Sequence, residues 1–212
     1  MIAVDDATFI VDRGEFVVIL GHSGSGKTTL LSLIGGLTAP DNGDIIINGI
    51  HNWQQSDKDL SQMRNETIGF IFQFASLIPT LTVIENMLLP LTFGRGSSVS
   101  MKEAESLLDK IGLLNKKNVF PSQLSGGQQR RVAIARAFMN NPAIILADEP
   151  TGDLDEETEK DILSLFREYN EKGTTFIVVT HNKELGMTQV NPRVLTMVNG
   201  AVTEAVLNAE VE

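Results

Sequence analysis

The segment Gly21–Thr28 is the feature that most limits how this chain can fold. It reads Gly-His-Ser-Gly-Ser-Gly-Lys-Thr. The apolar run Phe16–Leu20 before it predicts a buried parallel strand, and Thr28–Leu37 after it predicts a helix. Glycine-rich turns between a strand and a helix bind phosphate, because backbone N–H groups turn inward and the helix N-terminus adds partial positive charge. The sequence therefore predicts a phosphate-binding loop within an α/β sheet.

Two side chains of this loop have predicted chemical roles. Lys27 is expected to reach the β- and γ-phosphates of a nucleoside triphosphate, and the Thr28 hydroxyl is expected to ligate Mg²⁺. His22 is interpreted as a residue that fills the loop and contributes its backbone. The predicted nucleotide-binding segment is Gly21, His22, Ser23, Gly24, Ser25, Gly26, Lys27, Thr28 and Thr29.

Strand and helix patterns alternate along the rest of the chain, which favours a doubly wound sheet with ligands at the strand C-termini. Between residues 76 and 140 the pattern becomes helical. We therefore expect a single α/β domain over residues 1–212, with a core and an antiparallel β subdomain in 1–75 and 141–212 and a helical subdomain in 76–140. The further predicted strands are 43–49, 68–72, 143–147, 175–179, 194–198 and 201–206, and the further predicted helices are 102–111, 128–140 and 155–172.

Two neighbouring carboxylates, Asp148 and Glu149, close one of the apolar strands. An aspartate at a strand end beside a phosphate loop is expected to bind Mg²⁺ directly or through water. An adjacent carboxylate aimed at the γ-phosphate can orient and deprotonate a water molecule. Alone, this pair would be interpreted as a solvated acidic turn before Pro150; together with the loop at 21–28 it predicts a metal ligand and a catalytic base.

A second glycine-rich segment reads Leu124-Ser125-Gly126-Gly127-Gln128 and precedes a predicted helix. Ser125 is a natural N-cap, and the two glycines expose backbone N–H groups that can bind an anion. A capped helix start explains the same residues without any ligand. The functional interpretation gains weight because a phosphate loop is present in the same small domain.

Composition limits the classes of partner. The chain carries 27 acidic and 17 basic residues, a net charge of −10, so attraction to a nucleic-acid backbone is not expected. It has no cysteine, which excludes disulfides and cysteine-based metal sites. No signal peptide or membrane-spanning run is visible, so a second chain is expected to supply any membrane part.

These motifs together resemble the ATP-binding-cassette ATPases over nearly the whole chain. The resemblance implies ATP as substrate, Mg²⁺ as cofactor, and a second ATPase subunit, in a homo- or heterodimer, whose signature segment (124–128 in this chain) covers the γ-phosphate. It also assigns Gln73 to sensing Mg²⁺ and the membrane partner, His181 to the γ-phosphate, and Asp155 to communication across the dimer. The implied catalytic residues are Lys27, Gln73, Glu149 and His181, and the implied Mg²⁺ ligands are Thr28, Gln73 and Asp148.

Two longer stretches, Phe70–Asn86 and Leu146–Asp155, are similar to a subgroup of lipoprotein-release, macrolide-export and cell-division ATPases. This likeness implies an integral membrane permease of the four-helix type with an extracytoplasmic domain. It also implies a position on the cytoplasmic face of the inner membrane. The residues do not decide between a transport motor and a cell-division protein that transmits force without transport.

The sequence departs from the family pattern before the phosphate loop. The family has an upstream strand and an aromatic residue that stacks on adenine, whereas only twenty residues precede Gly21 here. Phe9 is expected to lie in the strand that follows, so no adenine-stacking ring is assigned. Base stacking contributes about 1–3 kcal/mol in single-stranded nucleic-acid complexes, and by analogy weaker nucleotide binding is expected.

Three rival classes fit less well. Soluble chromosome-maintenance or repair ATPases share the two glycine motifs but carry coiled-coil or zinc insertions, and this chain has neither heptads nor cysteine. Translation-associated relatives normally hold two such cassettes in one chain. A GTPase is expected to have an Asn-Lys-x-Asp segment that recognises the base, and Asn115–Asn118 lacks the aspartate.

Overall fold

A computed structural model describes residues 2–93, 101–152, 154–182 and 192–204. Six strands form one sheet in the order β4-β5-β6-β1-β7-β8, and all neighbours are parallel except β7 and β8. The other two strands form a separate antiparallel hairpin. The strands are β1 (Phe16–Leu20), β2 (Ile46–Ile47), β3 (Ile50–His51), β4 (Ile68–Ile71), β5 (Ile144–Asp148), β6 (Thr175–Thr180), β7 (Arg193–Val198) and β8 (Ala201–Glu204).

Helices cover both faces of the sheet, as the strand pattern predicts. Alternate residues of β1 point to opposite faces: Val17 and Ile19 join one apolar cluster, and Phe16 and Val18 join the other. The first cluster includes α1, and the second includes α3, α4, α5 and α6. The helices are α1 (Lys27–Ile34), α2 (Asp57–Thr67), α3 (Val83–Leu88), α4 (Met101–Lys110), α5 (Gly126–Ala137) and α6 (Glu156–Glu171).

The mixed α/β architecture with a mostly parallel sheet is confirmed, and several element limits are corrected. Helix α5 begins at Gly126 rather than Gln128, because the Ser125 side chain caps it by accepting a hydrogen bond from the Gln128 N–H at 3.3 Å. Of the strand predicted over 43–49, only Ile46–Ile47 is a strand (β2) in the structure. Asn48 and Gly49, with φ of 53° and 78°, then make the tight hairpin turn.

The strand register brings the predicted site residues to one edge of the sheet. Leu20 of β1 pairs with Thr180 of β6, and Asp148 of β5 pairs with Val179. The C-terminal ends of β1, β5 and β6 therefore lie side by side. The phosphate loop, the two carboxylates and His181 follow directly from these strand ends. The helices of the predicted subdomain share one apolar cluster with a face of the sheet, and the division into subdomains stays a prediction.

Candidate nucleotide-binding site

The phosphate loop takes a conformation that requires glycine. Gly24 and Gly26 have φ of 80° and 103°, where a side chain is strained. A Cβ on Gly26 would also lie 2.0 Å from the Ala3 carbonyl oxygen. The backbone is held from behind, because the Gly200 N–H donates to the Ser25 carbonyl at 3.0 Å. The turn between β7 and β8 thus supports the loop that the sequence motif identifies.

Lys27 is folded over this loop. Its side chain is 7% exposed, and Nζ donates to the carbonyl oxygens of Gly21 at 2.7 Å and His22 at 3.0 Å. His22, Ser23 and Gly24 are exposed, so the loop presents its backbone to solvent. A buried ammonium beside an exposed loop that opens a helix is an arrangement suited to an anion.

Oxygen ligands suited to Mg²⁺ meet beside Lys27. The Thr28 hydroxyl donates to Asp148 Oδ2 at 2.6 Å, so the two predicted ligands are in contact. Burial raises the pKa of Asp148, the Thr28 hydrogen bond lowers it, and the charge of Glu149 raises it further. Among the described residues, no group of three or more acidic or histidine side chains could hold a metal alone. The adjacent Thr28 hydroxyl and Asp148 carboxylate are a donor set that fits Mg²⁺, which proteins usually bind through one or two carboxylates together with substrate phosphates.

Glu149 is held in an unusual conformation at the end of β5. Its φ is +45°, a left-handed value that is strained for a non-glycine residue. Thr180 Oγ1 donates to Glu149 Oε2 at 2.8 Å, and the His181 N–H donates to Oε1 at 3.0 Å. His181 Nδ1 lies 2.8 Å from the same Oε1. Glu149 and His181, predicted separately, are therefore direct partners.

Gln73 is exposed just beyond β4. Ile71 of β4 pairs with Ala147 of β5, and the carbonyls of Phe72 and Asp148, the next residues of the two strands, both accept from Arg130. The structure therefore brings Gln73 to the same sheet edge as the predicted Mg²⁺ ligands.

The signature segment forms a capped and exposed helix start. Gln128 Oε1 accepts from the Ser125 N–H at 3.1 Å and from Lys116 Nζ at 3.1 Å, which completes a capping box. Ser125 and Gly126 are exposed, whereas Leu124 is buried in the core. Among the described residues, a Cβ added to Gly126 would meet nothing within 4 Å, and one on Gly127 would meet only Leu154 at 3.9 Å. The part of the chain that the structure describes therefore gives no steric reason for glycine at either position.

Comparison with known proteins decides the family. A family model described as "ABC transporter" matches residues 4–152. The chain belongs to the ABC transporter family. It is an ATP-binding and ATP-hydrolysing subunit of such a transporter, as the three motifs predicted.

Individual relatives support the expected subgroup of this ABC ATPase. The lipoprotein-releasing system ATP-binding protein LolD of Aquifex aeolicus is 45% identical over 193 residues, which are 91% of this chain and 85% of LolD. The macrolide export ATP-binding/permease protein MacB of Rhodopirellula baltica is 43% identical over 203 residues, 94% of this chain and 29% of MacB.

A solved dimer of the ATP-binding cassette MJ0796, in a post-hydrolysis state bound to ADP and Pi, superimposes on the ABC ATPase with a TM-score of 0.88. The two sequences are 41% identical, and the superposition covers 95% of this chain and 90% of the MJ0796 chain. In the part of the ABC ATPase that the structure describes, none of the helices is long and apolar enough to span a bilayer.

Asp155 of the ABC ATPase caps α6. Its carboxylate accepts hydrogen bonds from the Thr158 N–H and hydroxyl, both at 2.9 Å, and these bonds lower the pKa of Asp155. Asp155 is therefore the N-cap of α6, and its role in dimer communication stays a prediction. Phe9 is half-buried and packs against the apolar cluster beside α1, outside any regular strand, which corrects its expected strand placement.

Sequence reasoning missed two residues of the site. Thr180 orients the carboxylate of Glu149, and its place directly before His181 at a strand end was the available signal. Arg130, on α5, donates to backbone carbonyls at the ends of both β4 and β5. No sequence pattern marks such an arginine, because its partners are backbone atoms far away in the chain.

Proposed function

We propose that this ABC ATPase works as half of an ATP-driven clamp, in which two subunits close on ATP. The observation that carries the proposal is the exposed start of α5, where, among the residues that the structure describes, a Cβ on Gly126 or Gly127 would meet no atom closer than 3.9 Å. Glycines that the chain does not need for itself suit close approach by a second molecule. A helix N-terminus with free N–H groups suits an anion such as the γ-phosphate.

The roles of the cis residues follow from their contacts. Lys27 is held beside the exposed loop backbone, so its ammonium is placed to exchange the carbonyls of Gly21 and His22 for phosphate oxygens. Thr28 and Asp148 would hold Mg²⁺ through their adjacent oxygens, with Gln73 entering from the neighbouring strand. Bound there, Mg²⁺ neutralises charge on the phosphates.

Glu149 is the proposed base for hydrolysis. Its carboxylate is mostly buried and fixed by Thr180 and His181, so its position is defined relative to the phosphate loop. Glu149 would accept a proton from the attacking water, and His181, whose ring is 74% exposed, would contact the γ-phosphate. Loss of the γ-phosphate would remove the charge that holds Ser125 of the partner subunit, and the clamp would open.

Opening and closing would drive a membrane permease, of the four-helix type with an extracytoplasmic domain, at the cytoplasmic face of the inner membrane. The segment after β4 offers a docking surface, because Phe72, Phe74 and Ile78 are 44%, 77% and 40% exposed. Asp155 at the start of α6 is proposed to communicate across the dimer interface.

Replacing Glu149 with Gln tests the clamp. Glu149→Gln retains the shape of the side chain and removes the base, so ATP with Mg²⁺ should trap a stable dimer on gel filtration. ADP should leave the variant monomeric, and Glu149→Gln combined with Lys27→Ala should not dimerise. A variant that stays monomeric at saturating ATP and Mg²⁺ would show that the clamp is wrong.

The permease partner needs a separate test. We expect the tagged protein to capture an integral membrane chain with a large extracytoplasmic domain from detergent-solubilised membranes. Phe74→Glu should lose this capture and keep ATP-induced dimerisation, whereas Ile10→Glu, at a residue 77% exposed elsewhere, should keep both. Equal capture by both variants would contradict docking at the segment after β4.

A further inference from the structure

Arg130 is a buried cation that contacts several segments of the site at once. It is 6% exposed, and its guanidinium donates to the carbonyl oxygens of three consecutive residues at the end of β5. These bonds reach Asp148 at 3.2 Å and Glu149 at 2.5 Å from Nη2, and Pro150 at 3.4 Å from Nε. Nη1 donates to the carbonyl of Phe72, the residue before Gln73.

These contacts join three functional segments through one side chain. Arg130 lies on α5, five residues after Ser125, so it moves with the helix that starts at the signature segment. The carbonyls to which it donates belong to the turn that carries Glu149 and to the strand end that carries Gln73. The flat guanidinium has five donors in a fixed fork, which suits it to hold carbonyls from two strands in one arrangement.

The turn at Glu149 needs such support. A non-glycine residue with φ of +45° persists only where its surroundings fix it. The side chain of Glu149 is fixed by Thr180 and His181, and its N–H donates to Val179 at 2.9 Å. The carbonyl side of the same residue is fixed by Arg130.

We propose that Arg130 is a positioning residue for ATP hydrolysis, whose guanidinium holds the left-handed turn that aims Glu149 and ties this turn to α5 and to the Gln73 segment. The inference rests on the role of Glu149 proposed above. Because Ser125 on the same helix is proposed to serve the partner's nucleotide, Arg130 would also link the position of α5 to the base of its own subunit.

Two variants separate this role from simple packing. Arg130→Met keeps much of the volume and removes the donors, and Arg130→Lys keeps the charge but offers one compact ammonium that cannot hold all four carbonyls. Arg64→Met is the matched control, since Arg64 also donates to a backbone carbonyl, that of Gly36 at 2.7 Å, away from the site.

ATP hydrolysis is measured at steady state, together with thermal unfolding and ATP-induced dimerisation in the Glu149→Gln background. For both Arg130 variants we expect kcat to fall by about 10- to 100-fold, the size of effect that small misplacement of a catalytic group produces. KM for ATP should change less than about threefold, because phosphate binding is untouched. ATP-induced dimerisation should persist, and Arg64→Met should hydrolyse ATP like the wild type.

Three results would overturn the proposal. The first is a kcat for Arg130→Lys within about twofold of wild type. The second is loss of ATP-induced dimerisation when either Arg130 substitution is added to Glu149→Gln, which would mean that Arg130 acts in closing the dimer. The third is failure of both variants to fold, which would assign Arg130 to the fold. If the single variant Glu149→Gln fails to dimerise, the clamp is wrong. The comparison of kcat between the Arg130 variants and the wild type still tests the role of Arg130.

Discussion

Replacing Gly127 with alanine should make the isolated subunit more stable and its ATP-driven dimer weaker. Gly127 lies in the first turn of α5 with no positive φ, and of the described residues an added Cβ would meet only Leu154, at an ordinary contact distance of 3.9 Å. Alanine at a compatible site stabilises a protein by about 0.4–1 kcal/mol, chiefly by restricting the unfolded chain. For a domain of this size that shift raises Tm by about 1–4 °C.

The effect on the dimer has the opposite sign. A methyl group at the exposed helix start would hold the partner's phosphate away from the N–H groups. A hydrogen bond to a charged group contributes about 1.5–3 kcal/mol. At about 1.4 kcal/mol for each factor of ten, the ATP needed for half-maximal dimerisation should rise at least about tenfold.

Differential scanning calorimetry and an ATP titration by gel filtration, both in the Glu149→Gln background, measure the two effects. Gly173→Ala is the matched control: its Cβ would meet no described atom within 4 Å, so it too has room for a methyl group, but its φ is +98°. That variant should lose stability and dimerise normally. Unchanged dimerisation of Gly127→Ala, or a lower Tm, would refute the argument that an outside molecule requires this glycine.

Three further predictions concern the cis site and a helix cap. Thr180→Val removes the hydroxyl that orients Glu149, so kcat should fall by up to about 10- to 100-fold in a steady-state assay with little change in fold. Thr28→Val should raise the Mg²⁺ concentration needed for half-maximal hydrolysis, and a chelator should abolish hydrolysis in the wild type; unchanged Mg²⁺ dependence would argue against Thr28 as a ligand. The pKa of Asp155 is lowered by its bonds from Thr158, so its charge stabilises the fold above the unfolded pKa and this contribution disappears as the pH falls through the folded pKa. Asp155→Asn keeps the cap without the charge, so its stability deficit relative to wild type, measured by urea unfolding, should shrink as the solution is acidified.

The sequence predicted the elements whose signals are local. The run Phe16–Leu20 became β1 with its predicted limits, because a β-branched stretch bounded by glycine has few alternatives. Helix α2 (Asp57–Thr67) was not predicted, since Leu60 is its only buried residue and no apolar stripe exists. The cap at Ser56, with acidic residues in the first turn, was the signal available there.

The site divides in the same way. The phosphate loop and the Asp148-Glu149 pair are contiguous motifs with a required chemistry, so their residues could be named from sequence. The left-handed turn at Glu149 and the contacts of Arg130 could not, because they depend on the strand register and on carbonyl groups that every residue carries. A side chain that binds backbone atoms does not require a particular residue type at its partner position, so the sequence carries no sign of the contact.

The backbone hydrogen bond from the Gly200 N–H to the Ser25 carbonyl ties the β7–β8 hairpin to the candidate nucleotide site. Shortening that hairpin, or replacing Gly200 with a bulkier residue, should lower the affinity for ATP even though every residue of the phosphate loop is unchanged. Substitutions in β7 and β8 are therefore expected to weaken ATP binding, as substitutions in the phosphate loop do.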